Sequence, residues 1–501
     1  MPVVNSDDDL FLMYQLAGGF GERPTNLLHF DHAIHPWLGY ILSGLFARFP
    51  HFNWYTWFFI LCQFFSWTLI GRVLLSSFKK KTGVFVFFLL FVLAGVNGLQ
   101  SLNMTSTSWL LSISAMAFLF YFPDALIRCF ILLLLAGSIR LQIPLIVVTL
   151  FIPIQWVNKK RLPWKPVFFL AGFASILFLL NLGQKRYYEK NIPGWDKAES
   201  RRQDLFYSFN RPKDLEKDQS LIFQDNIEKA FFERVFLYDE HIPSDDQLAK
   251  IARAGTRIRD LTQQEDIDEL YWTWAAWRHY LLYLGIMALI VWQQKKLILL
   301  LRRSWLPISG MIAFYIFLFL FFKLTAAFFM GILLMMALQF ILLWPSGKSG
   351  SARISYMPLL FLLPMAWSIS RSWQVDKVNR KEYRQFACAA RELAADRSHL
   401  FIATGDVLPL NYFKFNALPG DFPLDNFIYK ERVLTRCYLP AFKKYGLTEN
   451  LFQNLHSPIL KFAGPYFPEL IMKAFKTGDS IQFSEPDKAF KCIEVRSVLV
   501  K

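Results

Sequence analysis

The sequence predicts a mainly α-helical, polytopic membrane protein with a small α/β domain at its C-terminal end. Three observations lead there. Apolar runs long enough to cross a bilayer, which takes ~17–25 residues each, recur between residues 52 and 373. Basic and nearly uncharged connections alternate between those runs. Polar sequence is confined to the first 51 residues, one long loop and the tail. Hydrophobic residues make up 54% of the chain and aromatic residues 17%. That exceeds the ~45–50% of an average soluble domain and is concentrated in the runs.

In chain order the segments are an acidic outer loop with interfacial helices (1–51), the first part of a membrane bundle (52–182), a large outer loop (183–277), the second part of the bundle (278–371) and an outer α/β domain (372–501). The runs themselves are 54–75, 83–99, 105–122, a pair broken at "GSIRLQIP" within 127–157, then 166–182, 278–293, 304–322, 325–344 and 354–371. Together they make about ten crossings. If "KKK" (79–81) is cytoplasmic, then "NKKRLPWK" (158–165), "QQKKLILLLRR" (293–303) and "SGKSGSAR" (346–353) fall on the same side. The opposite connections, "QSLNM" and "KLTAA", carry little charge. This alternation follows the positive-inside rule and puts the N-terminal aspartates, the 183–277 loop and the tail together on the non-cytoplasmic face.

The segment "PWLGYILSGLFARF" (36–49) is short for a span and reads as a helix lying at the interface. Were it to cross, the aspartates would move to the cytoplasm. In the outer loop, "DQLAKIARAGTRIRDL" has amphipathic helical spacing. In the tail, "HLFIAT" (399–404) and "CIEVRSVLV" (492–500) read as strands between helical segments. The acidic start has no basic n-region, so no signal peptide is read there. The first membrane helix then serves as the targeting signal.

The net charge of +16 raises nucleic-acid binding, but the basic residues lie largely in short loops between apolar runs, where they set orientation. Nucleic acid is therefore excluded as a partner. Of five cysteines, Cys62 and Cys129 sit in apolar runs as small core residues, whereas Cys388, Cys437 and Cys492 lie in the polar tail. Two of those three can pair if the tail faces an oxidising compartment, and spacing does not choose which. "FIATGD" (401–406) lacks any phosphate-binding fingerprint and reads as an ordinary turn. "NMT" (103–105) is a formal sequon close to the bilayer.

Three groups carry the chemistry. In "NSDDDLFLMYQL", Ser6 as N-cap and Asp9 at N3 make a capping box. That leaves Asp7 and Asp8 needing another reason, because three adjacent like charges repel. Beside a membrane, a desolvated carboxylate serves as a general base, and two can hold a divalent cation such as magnesium or manganese. In "LLHFDHAIHPWLG", Pro36 disfavours helical backbone at His35, so His29, His32 and His35 do not converge on a metal. His32 and His35 are read as contacts to a phosphate or sugar, against the plainer role of interfacial hydrogen bonding. Finally, Arg140, between two short apolar runs, and Lys323, in "FLFFKLTAAFF", are isolated cations at the outer membrane level. Charges there snorkel to headgroups or serve function, and both suit a lipid-linked phosphate.

The "SDDD" motif at the head of the first outer loop, the interfacial helices behind it, about ten spans and an outer C-terminal domain together resemble the GT-C glycosyltransferases. The order covers most of the chain, and "SDDD" is its one sharp motif. The resemblance implies a GT-C-like bundle of ten or eleven helices and transfer of a sugar from a polyprenyl-phosphate carrier to a glycan or lipid acceptor. Asp7 or Asp8 would be the catalytic carboxylate, and Arg140 and Lys323 contacts to the carrier phosphate. Some members use a metal at the acidic motif and others do not. Composition points to a bacterial inner membrane with the soluble parts periplasmic. Family members carry a membrane helix ahead of the acidic loop, and only residues 1–4 precede it here: either the chain is truncated at its start, or Met1 is a misassigned start, or the analogy fails; an in-frame apolar stretch of ~20 codons upstream of Met1 would restore the helix. A transporter or lipid flippase would show repeat symmetry, and the sequence has none. A non-catalytic envelope-assembly protein would use the aspartates as caps alone.

Overall fold

A computed structural model describes residues 7–19, 23–28, 34–78, 80–100, 102–159, 164–192, 194–197, 200, 297–321, 326–343, 366, 370, 373–374, 377, 387–403, 425–428, 439–449, 451–454, 457–464 and 482–499. It is mainly helical, with a small sheet, and divides into two compact units. The run read at 278–293, all of the run at 354–371 but residues 366 and 370, and most of the 183–277 loop lie outside the described residues.

The first unit comprises Met1–Pro2, Trp57–Leu182 and Ile258–Asp376. It holds most of α3 (Trp54–Ser77), α4 (Lys80–Leu90) running through a π-helical turn at Phe91–Gly95 into α5 (Val96–Gln100), and α6 (Met104–Tyr121). Then come α7 (Leu126–Ile139), α8 (Gln142–Lys159), the first part of α9 (Trp164–Asn191), α10 (Leu297–Phe321) and α11 (Ala326–Leu342). Helix α6 is the hub, packing on α7, α8 and α11. Asn103, the sequon residue, caps it by accepting the Ser106 N–H at 2.6 Å. Its buried face is rich in small hydroxyl residues, which let helices approach closely. The Ser108 hydroxyl donates to the Ala136 carbonyl of α7 at 2.9 Å, and Gln63 Nε2 of α3 donates to Thr107 Oγ1 at 3.2 Å. The break expected at "GSIRLQIP" is present: α7 stops at Ile139, Arg140 is extended (φ −152°, ψ 99°) and α8 begins at Gln142.

Among the described residues, two helices, α3 and α6, are long and apolar enough to cross a membrane. Within the described residues, α8, α10 and α11 contribute apolar stretches at Gln142–Ile154, Ser304–Leu318 and Met330–Gln339. Packing of α11 on α6 depends on Gly331, since a Cβ built there would fall inside the Trp109 ring. Gly331→Ala must push the fully buried Trp109 aside. Overpacking of this kind costs ~1–3 kcal/mol, and the expected result is a lower unfolding midpoint for detergent-solubilised protein. Gly310→Ala, where nothing lies within 4 Å, should not lower it.

The second unit comprises Val3–Thr56, Gly183–Arg257 and Lys377–Lys501. Helix α1 (Asp7–Leu16) ends at Gly18, whose φ of 92° favours glycine, with the Gly19 N–H donating to the Tyr14 carbonyl at 2.8 Å. Helix α2 (Pro36–Arg48) has proline in its first turn, where the missing N–H costs nothing. The tail holds a helical stretch at 387–395 and a four-stranded sheet in the order β2-β1-β3-β5. Central β1 (Leu400–Ala403) runs parallel to β2 (Phe427–Ile428) and β3 (Leu460–Ala463), and β5 (Val495–Arg496) is antiparallel to β3. A second ladder pairs β4 (Gln482–Phe483) with β6 (Val498–Leu499). The run read as one strand at 492–500 is thus split, its halves pairing with different partners. Cys388 and Cys492 form a disulfide with Cα atoms 5.8 Å apart, linking the 387–395 helix to the approach to β5. The Glu392 carboxylate accepts the backbone N–H groups of Lys491 at 3.0 Å and Cys492 at 2.9 Å.

Candidate functional site

Asp7 and Asp8 occupy the first two positions of α1 and Asp9 the third. Carboxylates are favoured there because free N–H groups and the helix dipole present positive charge. Asp9 is completely buried, and its Oδ1 accepts a hydrogen bond from the equally buried Tyr55 hydroxyl at 2.6 Å. A buried polar group costs free energy unless it is hydrogen-bonded, and the Tyr55 hydroxyl supplies that partner at 2.6 Å. Asp9 therefore does more than the capping box assigned to it. It stands at N3 as expected, but its carboxylate reaches a tyrosine in the first turn of α3, 46 residues away. Ser6, the expected cap, lies outside the described residues.

Tyr14, two turns on, anchors the other end of α1. Its hydroxyl donates to the Phe427 carbonyl at 3.3 Å, on edge strand β2. Burial, reinforced by the negative charge of Asp425, pushes this hydroxyl well above its usual range, so it stays protonated and remains a donor. Sequence reasoning missed both tyrosines. A tyrosine facing the protein interior is the residue type that needs a partner for its hydroxyl, and that was the available signal.

His35 was read as a phosphate or sugar contact. In the structure it is the N-cap of α2: its backbone is non-helical (φ −56°, ψ 141°) and its Nδ1 accepts the Trp37 N–H at 3.4 Å. Pro36 forces that geometry, as expected. His35 shares the second unit with Asp7 and Asp8, and α1 packs on α2. Arg140 belongs to the first unit and is half-buried at the helix break, where its carbonyl accepts from Ser108 Oγ at 3.5 Å. His32 and Lys323 lie outside the described residues.

Two other groupings resemble sites in composition. Asp396, Ser398 and His399 are the residue types of a hydrolase triad, but the Ser398 hydroxyl and His399 Nδ1 both meet Asp396 Oδ1, at 2.5 and 2.9 Å. A working triad puts serine on the opposite ring nitrogen, so this is a polar turn before β1. Burial alone would raise the Asp396 carboxyl; hydrogen bonds from Ser398 and His399 and the charge of Lys461 outweigh it and hold the group below its ordinary value. Among the described residues, Cys388, Glu392 and Cys492 are close enough to share a metal ion. Their two sulfurs are joined to each other, so they offer no thiolates. Comparison of the chain with protein-family models, curated proteins and solved structures finds no match.

Proposed function

We propose that this protein is a membrane glycosyltransferase of the GT-C type. It moves a sugar from a polyprenyl-phosphate carrier to a cell-envelope acceptor at the periplasmic face of a bacterial inner membrane, through a bundle of about ten crossings. The observation that carries the reading is the acidic first turn of α1. It is pinned by Asp9 to Tyr55 and lies in the same compact unit as the two largest segments that charge alternation puts outside the cytoplasm. The Cys388–Cys492 bridge agrees with that placement, since disulfides persist in oxidising compartments. Large apolar side chains on the outer faces of the first unit's helices, Phe64 (70% exposed), Ile127 (74%) and Phe168 (71%) among them, agree with a lipid surround.

In the proposed reaction Asp7 or Asp8 takes the proton of an acceptor hydroxyl as that oxygen attacks the anomeric carbon. The bond from that carbon to the phosphate oxygen breaks, and the polyprenyl phosphate leaves. Arg140 and Lys323 stabilise the charge developing on it. Direct displacement inverts the anomeric centre. Where a divalent cation is used, Asp7 and Asp8 are the residues to hold it.

The test uses purified protein in liposomes with a panel of radiolabelled polyprenyl-phosphate sugars and an envelope glycan or lipid extract as acceptor. The expected result is transfer from at least one donor, with Arg140→Ala and Lys323→Ala weakening use of that donor while expression stays near normal. Movement of the intact lipid between leaflets without sugar transfer would replace the proposal with a flippase.

A further inference from the structure

Arg72 stands in the second-last turn of α3, exposed. Its guanidinium lies over two rings from the end of α6, 5.5 Å from the centroid of Phe118 and 5.1 Å from that of the C-cap residue Phe122. Those rings pack on each other at 4.6 Å. A guanidinium offers five N–H donors in a planar fork. Among the described residues nothing accepts a hydrogen bond from that of Arg72, and no carboxylate pairs with it. The nearest acid in sequence to these rings is Asp124, which is exposed and forms no ion pair with Arg72. Leu75, one turn further on along the same face of α3, is 47% exposed, so apolar surface continues past the cation. Helix α4 folds back beside this stretch, where a Cβ on Gly83 would come within 3.0 Å of the Leu74 carbonyl. Its first turn brings the exposed Lys80 and Lys81.

We propose that Arg72 binds the phosphate of an anionic phospholipid in the leaflet on the Lys80–Lys81 side of the membrane. The proposal rests on α3 and α6 crossing that membrane, and not on sugar transfer. At 1.5 Å per residue, Arg72 lies ~27 Å along the axis from Trp54, against a hydrocarbon core ~30 Å thick. That depth is the boundary between acyl chains and headgroups, where a cation requires an acidic or polar partner. The chain supplies none nearby: it has no Asp or Glu between Asp31 and Asp124. A guanidinium fork matches the oxygens of a phosphate. Stacking on Phe118 and Phe122 already restrains the side chain, so less freedom is lost when it meets one. Lys80 and Lys81 add positive charge, which favours a lipid of net negative charge over a zwitterionic one. Exposed Leu75 and, on α4, Phe88 (51%) give the acyl chains an apolar surface.

The experiment places the full chain in nanodiscs of phosphatidylethanolamine with and without phosphatidylglycerol, and native mass spectrometry counts the lipid each released protein retains. Wild type should keep phosphatidylglycerol in preference to phosphatidylethanolamine. Arg72→Gln should weaken that preference ~10-fold or more, the scale of losing charge-assisted hydrogen bonds. Arg72→Lys should recover part of it, since charge returns without the fork. Asp124→Asn should leave it unchanged or raise it. If wild type retains lipid without preference, or Arg72→Gln keeps phosphatidylglycerol as wild type does, the proposal is wrong and the membrane reading of α3 and α6 stands. Thermal midpoints of the same preparations, in detergent with and without added phosphatidylglycerol, identify a purely structural role. The lipid should raise the wild-type midpoint more than that of Arg72→Gln. A midpoint lowered equally in both conditions would mean that Arg72 only braces α3 against α6, which overturns the proposal. A chain that stays in solution without detergent and retains no lipid would end the membrane reading, and the proposal with it.

Discussion

Asp7→Asn and Asp8→Asn are expected to cut sugar transfer by ~10²–10⁴-fold at whichever position holds the base, the range for losing a general base. Asparagine keeps the shape and can cap a helix, so a cap would tolerate it, at a cost of at most about 1 kcal/mol. Asp9 provides the contrast. Its side chain is buried on Tyr55, so Asp9→Asn should lower the unfolding midpoint by disturbing a short, buried hydrogen bond. Its effect on turnover should track how much folded protein remains. Initial rates and thermal midpoints measured on the same preparations separate the two cases. Undiminished transfer with asparagine at both 7 and 8 would reduce the acidic turn to a helix cap.

Cys388→Ser, Cys492→Ser and the double variant should each destabilise the tail by ~2–5 kcal/mol, the usual cost of removing a native disulfide. The cysteines are 104 residues apart in sequence, and the effect grows with the loop closed. Some of the loss should fall on the segment just before β5, because Glu392 holds the Lys491 and Cys492 N–H groups beside the bridge. Pulse proteolysis of the tail, with and without reductant, reads the effect. Wild-type chain isolated with its thiols blocked should carry the bridge. Finding Cys388 and Cys492 alkylated in protein from intact cells would put the tail in a reducing compartment and reverse the assumed orientation.

Much of the helical architecture was legible because apolar run length is a strong signal. The breaks at Arg140 and at 100–103 followed from loop residues, and the start of α2 from Pro36. The strand at β1 was visible as a short apolar run. Strands β2 and β3 were not, since Phe427–Ile428 and Leu460–Ala463 are too short to show alternation and owe their pairing to β1. The acidic turn stood out as a charge anomaly in an apolar chain. The Tyr55–Asp9 and Tyr14–Phe427 bonds join residues 46 and 413 positions apart, and no local pattern encodes such a pairing. The choice of Cys388 and Cys492 from three tail cysteines was equally non-local. It depends on the 387–395 helix lying against the approach to β5.

The Tyr14–Phe427 bond also has a consequence for biosynthesis. The acidic helix is synthesised well before the strand that receives it, 413 positions on from Tyr14. Non-local contacts of this kind form late, so α1 stays without this support until the tail has been made. A chain truncated anywhere before the tail would therefore keep the Asp9–Tyr55 bond and lose the Phe427 carbonyl that Tyr14 donates to. Closure of the second unit around α1 depends on the last part of the chain to be synthesised.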